Sequence, residues 1–289
     1  MGIGMLLIFA GLMVHQFEAM IVKHYGKKYD AGGMFFNAVI CIFSMFYFVI
    51  TDKGGLQFPP KIILFGLINS TMYAIGFYAA YQAYRIGSFG LTRLLSSFGI
   101  IITTFYGIIF LKEPTTPYTY IALVLIVVAF LIGYQKDDAD EKVNISAKWV
   151  LMVVLTVLSN AMISILGRIQ VGMFDGEYKN EYLMISLGGA AILLMVLGLI
   201  FERDKFVSTV KNGFLYGMFA GMFNGINNFF ILVTYSYVPI SISSPVKSGL
   251  GMVISFVMSV VIYKEKFSRR QLIQVAIGIV AVVLMNLKV

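Results

Sequence analysis

Two basic side chains, Arg93 and Lys247, lie inside long apolar segments of this chain. A charged side chain at the centre of a membrane-spanning helix costs about 2.5 kcal/mol or more, so such residues usually face a protein interior or a wet cavity. Cations that converge on one cavity suit a carboxylate or a phosphate, and arginine adds bidentate contact. Alternatively, each side chain only extends to the nearer membrane interface.

A titratable pair lies in the first apolar segment. His15 and Glu18 are three residues apart and therefore share one face of a helix. Both groups can change protonation, so either could carry a transported proton, and we predict proton coupling for this pair. Alternatively, Glu18 makes a structural bond to Arg93, to Lys247 or to a helix end.

Uncharged polar groups recur deep in three other apolar segments. Asn224, Asn227 and Asn228 form an amide stripe at helical spacing. Such amides often bond to neighbouring helices, and tyrosines at the ends of a span often mark the membrane interface. We nevertheless expect several of these groups to contact a ligand. The predicted substrate-binding residues are Lys247, Arg93, Asn224, Asn227, Asn228, Tyr73, Tyr78 and Asn160.

The elements that must position these groups follow from the composition. The chain has 289 residues, of which 59% are hydrophobic and 12% are charged, whereas soluble proteins are nearer half apolar and a quarter charged. The apolar runs are continuous, which favours helices over the strands of a barrel. We predict an all-α integral membrane protein with ten transmembrane helices, at residues 3–22, 32–50, 62–84, 88–111, 118–134, 149–169, 182–201, 214–237, 241–263 and 272–287.

The halves of the sequence repeat. A shift of 152 residues places Lys112 and Glu113 over Lys264 and Glu265, while the first helices of the halves align at a shift near 144. We predict a first five-helix repeat at residues 1–136, a polar linker at 137–148 and a second repeat at 149–289. Because five is odd, the repeats would cross the membrane in opposite senses, with a site near the midplane, as in secondary transporters.

Charge and motifs exclude several classes of function. The net charge of +8 would suggest nucleic acid in a soluble protein, but here it fits the loops of a membrane protein, where 14 basic residues on one side against 6 on the other place both termini outside the cell. The single cysteine, Cys41, excludes an internal disulfide. We find no motif of an enzyme, no metal-binding spacing and no cofactor-binding pattern.

Two segments resemble a known family. Residues 96–132 and 243–285 each contain a helix that ends near a Lys-Glu pair, then a turn and a glycine-bearing helix. They are similar to the fourth and fifth, and the ninth and tenth, helices of the EamA-type transporters of the drug/metabolite transporter superfamily. The resemblance covers the whole chain. It implies a ten-helix metabolite transporter with cytoplasmic termini, opposite to the loop charges.

We therefore predict a secondary active transporter in the cell membrane that moves a small polar metabolite, preferably an amino acid or an organic anion. It would work by alternating access, driven by a proton gradient or by exchange, from a cavity between helices 1, 3, 4, 6, 8 and 9. Expected partners are the substrate, the lipid bilayer and at most a second copy, without nucleic acid, metal or cofactor. Alternatives are efflux of organic cations through Glu18 and cavity tyrosines, or a membrane-embedded receptor or enzyme. The direction of transport stays open.

Overall fold

The structure is a computed structural model that describes residues 2–29, 33–52, 54–86, 92, 95, 96, 98–133, 146–263 and 269–286. These residues contain ten α-helices, in agreement with the predicted number. The helices are α1 (Gly2–Tyr29), α2 (Met34–Thr51), α3 (Pro60–Ile86), α4 (Gly99–Ile109), α5 (Pro117–Gly133), α6 (Ala147–Met173), α7 (Lys179–Phe201), α8 (Phe206–Thr234), α9 (Ile240–Tyr263) and α10 (Arg269–Asn286).

Within the described residues, five stretches are long and apolar enough to cross a membrane, judged by length and composition. They are Gly2–Val22, Met34–Thr51, Pro60–Ala83, Ala147–Met173 and Lys179–Phe201. Shorter apolar helices occupy Gly99–Ile109, Pro117–Ile132 and Leu272–Leu284. Most of the predicted linker and most of the predicted start of the fourth span lie outside the described residues, so the proposed domain boundaries stay predictions.

Local sequence signals explain several helix ends. Proline is the first residue of α3 and of α5, where its missing N–H costs nothing and its fixed φ suits a helix. Ser146 caps α6, because its hydroxyl accepts a hydrogen bond from the backbone N–H of Trp149. Pro245 instead lies inside α9. It removes the hydrogen bond that the carbonyl of Ser241 would accept and so weakens the helix there.

Equivalent helices in the two halves of the chain mostly pack against equivalent neighbours. Helix α1 packs against α8 and α9, and its counterpart α6 packs against α3 and α4. Helix α2 packs against α7 and α8, and α7 packs against α2 and α3. Two further contacts join counterparts directly, α5 with α10 and α4 with α9. Each of these contacts pairs a helix of one half with a helix of the other. The contact of α9 with α10 lies within the second half.

Glycines allow the closest approaches between these helices. A Cβ atom at Gly221 of α8 would lie 2.6 Å from the carbonyl oxygen of Ile40 in α2. A Cβ atom at Gly66 of α3 would lie 2.7 Å from the Cβ atom of Ile185 in α7. Small residues are the usual means by which helices in membranes pack closely. Each half therefore has a glycine that lets one of its helices approach a helix of the other half closely.

Candidate functional site

A cavity of about 440 Å³ lies among α1, α4, α5, α6, α8 and α9. This volume falls in the range of small-molecule sites. The described lining extends along α1 from Leu7 to Ala19 and along α9 from Ser243 to Gly251. Phe130 of α5 also lines the cavity. The walls therefore come from both halves of the chain, as the repeat predicts for a transport site.

Helix α3 was expected to contribute to this cavity, but none of the described lining residues belongs to it. The reason is its close packing against α6. A Cβ atom at Gly76 of α3 would lie only 3.2 Å from the Cβ atom of Ser159. Helix α6 therefore stands between α3 and the cavity.

Neutral polar groups dominate the hydrogen-bonding surface of the cavity. Three amides, Gln16, Asn160 and Asn227, line it. Around them lie hydroxyl groups of three residue types, at Ser96, Thr103, Ser164, Thr234, Tyr235, Ser243, Ser244 and Ser248. The described lining includes one lysine, Lys247, and one histidine, His15, but no aspartate or glutamate. Such a surface suits a ligand with several hydrogen-bonding groups.

Three of the polar groups in this lining lack a hydrogen-bond partner among the described residues. They are Oδ1 of Asn227 and the hydroxyls of Ser96 and Ser243. Asn227 is buried between α8 and α1, where Gly11 leaves room for it: a Cβ atom at Gly11 would lie 3.4 Å from Oδ1. Buried polar groups normally have partners. The three atoms are enclosed by protein, so a ligand in the cavity would pair with them only after a shift of these side chains.

Lys247 places an ammonium group on the same cavity, one turn after Ser243 and Ser244. No described carboxylate lies within 4.0 Å of its Nζ atom; the ion pairs seen in the described residues are His15 with Glu18 and Arg168 with Glu113. Its predicted counterpart, Arg93, lies outside the described residues. The predicted convergence of two cations is therefore represented here by Lys247 alone.

Behind the cavity wall, His15 leads into a buried polar network. Its Nδ1 atom lies 3.1 Å from Oε2 of Glu18, and the Nδ2 group of Asn224 donates to Oε1 of Glu18 at 2.9 Å. Glu18 is 8% exposed and does not line the cavity. Of the structural partners that the sequence predicts for Glu18, Lys247 forms no ion pair with it within 4.0 Å, and Arg93 lies outside the described residues.

The network continues away from the cavity to α2 and α3. Asn224 Oδ1 accepts hydrogen bonds from the hydroxyl of Ser44, at 3.0 Å, and from Nδ2 of Asn228, at 2.8 Å. The hydroxyl of Tyr73 donates to Oδ1 of Asn228 at 2.9 Å. Tyr73 of α3 is thus joined to Asn228 of α8, and Asn228 is joined to Asn224 on the same helix. None of the three lines the cavity.

Of the other predicted site residues, Asn160 lines the cavity and Tyr78 does not. Asn160 shares this lining with Asn227 and Lys247. The ring of Tyr78 packs beside that of Phe201 with centroids 5.6 Å apart. Of the seven predicted substrate contacts that lie in the described residues, the structure thus brings three to one cavity.

Sequence reasoning missed the serines and Tyr235 of the lining. Ser243, Ser244 and Ser248 surround Pro245 in the segment SISSPVKS. A dense run of small hydroxyls around a proline inside an apolar span is a signal that could have identified them.

A buried carboxylate holds one end of the cavity wall in place. Glu113 accepts hydrogen bonds from the backbone N–H groups of Ile240 and Ser241, at 3.1 and 2.8 Å, at the start of α9. It also accepts from Nε of Arg168 at 3.0 Å, and Arg168 donates to the carbonyl of Tyr235 at 3.2 Å. A carboxylate at a helix N-terminus is electrostatically favourable. This Glu113 cluster therefore ties the turn after α4 to α6 and to the α8–α9 connection.

Comparison with known proteins identifies the family. A model of the sugar transport protein family matches residues 6–288. This chain belongs to the sugar transport family. A Streptococcus pyogenes serotype M1 protein named as a candidate for sugar uptake is 24% identical over 259 residues, which cover 86% of this chain and 84% of that protein. A Bacillus anthracis protein named in the same way is 23% identical over 256 residues, covering 87% and 83% of the two chains.

A solved crystal structure shares the fold. It has 13% sequence identity and a TM-score of 0.80, over 98% of this chain and 98% of its own. Membership of the sugar transport family, together with the apolar helices, indicates a multi-pass membrane transporter rather than an enzyme. The prediction of a membrane transport family is confirmed at this level. The family and the two relatives are named for sugars, whereas the sequence alone favoured amino acids or organic anions.

Proposed function

We propose that this protein carries a sugar across a cell membrane and binds it in the cavity lined by Asn160, Asn227 and Lys247. The observation that carries this proposal is a cavity rich in neutral hydrogen-bonding groups in a member of the sugar transport family. Sugar hydroxyls both donate and accept hydrogen bonds. They therefore match a lining of amides and hydroxyls, which also do both.

The unpartnered groups of the cavity support a hydroxylated ligand in particular. Oδ1 of Asn227 can only accept a hydrogen bond, and the hydroxyls of Ser96 and Ser243 can donate or accept one. A site built around such groups rejects ligands that lack hydroxyls, because the protein groups would then stay unpaired. Phe130 and Tyr235 add apolar surface for the carbon skeleton.

Transport in this proposal uses alternating access between two inverted repeats, residues 1–136 and 149–289. The exchange of packing partners between the halves supports the repeat. A cavity with walls from both halves also supports it, since rocking of one half against the other would open the cavity to each side in turn. The Glu113 cluster holds the first residues of α9, and Pro245 follows about one turn later. The proline gives this wall of the cavity a point at which it can bend.

We assign the predicted site residues to two roles. Asn160, Asn227 and Lys247 contact the substrate directly. Asn224, Asn228 and Tyr73 instead hold Glu18 in position behind the wall.

His15 and Glu18 form the coupling site. His15 faces the cavity and Glu18 lies behind it, 3.1 Å away, so a proton taken up from the cavity can be shared within the pair. Uptake driven by a proton gradient is therefore part of the proposal.

The test is uptake of labelled monosaccharides, aldohexoses and aldopentoses, into proteoliposomes that contain the purified protein. We expect saturable uptake of at least one sugar, stimulated by an imposed pH gradient. Asn227→Ala should raise the KM about tenfold, the cost of about 1.4 kcal/mol for one lost hydrogen bond in a buried site. Asn212→Ala, on the same helix but bonded only to Ser208, is the matched control and should transport as the unmodified protein does.

Two rival functions give different results in the same vesicles. Efflux of organic cations through Glu18, Tyr73 and Tyr78 would need these side chains in the wall, but none of the three is in the described lining, which also has no aspartate or glutamate. A receptor or enzyme would bind a ligand without flux. Vesicles that accumulate organic cations but no sugar, or that show no flux of any sugar, would contradict the proposed function.

A further inference from the structure

Lys247 carries a positive charge at the cavity that a neutral sugar would not balance. It is the only lysine or arginine in the described lining, and that lining has no acidic residue. A cation within a membrane-spanning helix is costly unless it meets a partner. Hydroxyl groups satisfy its hydrogen-bonding capacity but do not balance its charge.

Glu18 is the nearest described source of negative charge, and it is already engaged. It is close enough to interact with Lys247 electrostatically but not within 4.0 Å. Its two oxygen atoms are bonded to His15 and to Asn224. Among the described residues, no carboxylate therefore forms an ion pair with Lys247, which lines the cavity.

The groups next to Lys247 indicate what else that ligand must carry. Ser243 and Ser244 lie one turn before it on the same face of α9, and the hydroxyl of Ser243 has no partner among the described residues. Asn227, with its unpartnered Oδ1 atom, reaches the same cavity from α8. A negative group bound at Lys247 would thus be attached to a chain or ring with several hydroxyls.

We infer that the substrate is an acidic monosaccharide with one carboxylate, a uronate or an aldonate. This inference rests on the proposed sugar transport. The carboxylate binds the ammonium group of Lys247 through charge-assisted hydrogen bonds, and the sugar hydroxyls pair with Asn227 and Ser243. Lys247 supplies one positive charge to the described lining, which matches the single negative charge of a carboxylate. A simple carboxylic acid would leave the amide and the serine hydroxyl unpaired.

Calorimetric titration of the purified protein at constant pH and ionic strength tests this inference. The ligands are sodium glucuronate, sodium gluconate, glucose and sodium acetate. We expect at least one of the two acidic sugars to bind about 10- to 100-fold more tightly than glucose, which is the fold-change for a charge-assisted bond of about 1.5 to 3 kcal/mol. Acetate should bind more weakly than the acidic sugar, because it lacks hydroxyls.

Variants then locate the preference. Lys247→Gln should bring the affinities for the acidic sugar and for glucose to within about threefold, whereas Lys247→Arg should keep most of the preference. Lys211→Gln, which removes an exposed lysine from α8, is the matched control and should bind as the unmodified protein does. The preference of the unmodified protein is itself a test that does not depend on any variant.

The outcomes separate this inference from the proposed function. Glucose that binds as tightly as both acidic sugars, or a preference for the acid that survives in Lys247→Gln, would overturn the acidic substrate and leave sugar transport standing. Acetate that binds as tightly as the acidic sugars, or a failure of every sugar to bind, would overturn both. A preference that is lost in Lys247→Gln and kept in Lys247→Arg supports both.

Discussion

Helix α1 crosses α8 as helix α6 crosses α3, but the two crossings differ in chemistry. At the first crossing, Asn224 donates a hydrogen bond to the buried carboxylate of Glu18. The sequence repeat places Met162 and Met72 at the equivalent positions. The second crossing is instead held by close contact of small residues, with Gly76 against Ser159.

This difference shows which features a repeated frame shares and which belong to one copy. The packing of helices repeats because each half must bury the same surfaces against the other. Among the described residues, the polar network of Glu18 and Asn224 occurs at the first crossing, which is where the proposed coupling site lies. The asymmetry therefore indicates where function was added to a symmetric frame.

The largest effect should come from the packing that both halves share. Gly221→Val and Gly66→Val each place a side chain within 2.7 Å of α2 or α7. We expect each to destabilise the protein on the order of 3 kcal/mol, the upper part of the range for overpacking, and to abolish monodisperse protein in detergent. Gly172→Ala is the control, since its Cβ atom would have no neighbour closer than 4.0 Å. A mild effect in one half and a severe one in the other would break the equivalence of the packing.

The next effect should separate the two crossings. Glu18→Gln removes the carboxylate of the proposed coupling site but keeps a side chain that can bond to Asn224. Uptake driven by a pH gradient should fall to background, while exchange of sugar at equal pH on both sides should survive. Met162→Gln, the equivalent change at the other crossing, should leave both modes of flux within about twofold. Equal loss of uptake and exchange in Glu18→Gln would assign Glu18 to folding or to substrate binding.

The Glu113 cluster lies outside both crossings, so its loss should not distinguish the two modes of flux. Glu113→Ala leaves Arg168 and the N-terminus of α9 without their carboxylate partner. We expect a loss of about 3 kcal/mol, the lower limit for breaking a buried ion pair, because the side chain of Arg168 remains 23% exposed. Thermal unfolding measured by tryptophan fluorescence checks the loss. Gradient-driven uptake that fails while exchange is unchanged would instead link Glu113 to coupling.

The smallest effect should come from the second crossing. A Cβ atom at Gly76 would lie 3.2 Å from that of Ser159, a distance that a shift of a few tenths of an ångström relieves. Gly76→Ala should therefore change stability by less than about 1 kcal/mol, since the tight contact offsets the gain in helix propensity. A thermal shift of more than a few degrees in either direction would show that this crossing is more tightly constrained than its chemistry indicates.

The sequence predicts the fold better than the site, and particular residues show why. Continuous apolar runs predict the helices, because a span in lipid must satisfy its backbone internally. Asn160, Asn227 and Lys247 stand out because amides and ammonium groups cannot easily be satisfied within an apolar helix. The hydroxyls of Thr103, Ser164 and Thr234 line the cavity but bond to carbonyls of their own helices. Such residues give no signal in the sequence.

The contacts of tyrosines depend on how the helices are rotated, which the sequence does not determine. Tyr73 and Tyr78 look equivalent in the third apolar segment, since both are large amphipathic side chains. In the structure, Tyr73 donates to Asn228 and Tyr78 packs beside Phe201. The way α3 packs against its neighbouring helices decides that neither tyrosine lines the cavity.

The most direct test of sugar transport through this cavity is an experimental structure of the protein with a bound monosaccharide, chosen as the tightest ligand in the titration. We expect density for the sugar in the space enclosed by α1, α6, α8 and α9, with a hydroxyl within hydrogen-bonding distance of Asn227 Oδ1 and the bond between Glu18 and Asn224 intact. Density for the sugar outside this cavity, with Asn227 still unpartnered, would contradict the account.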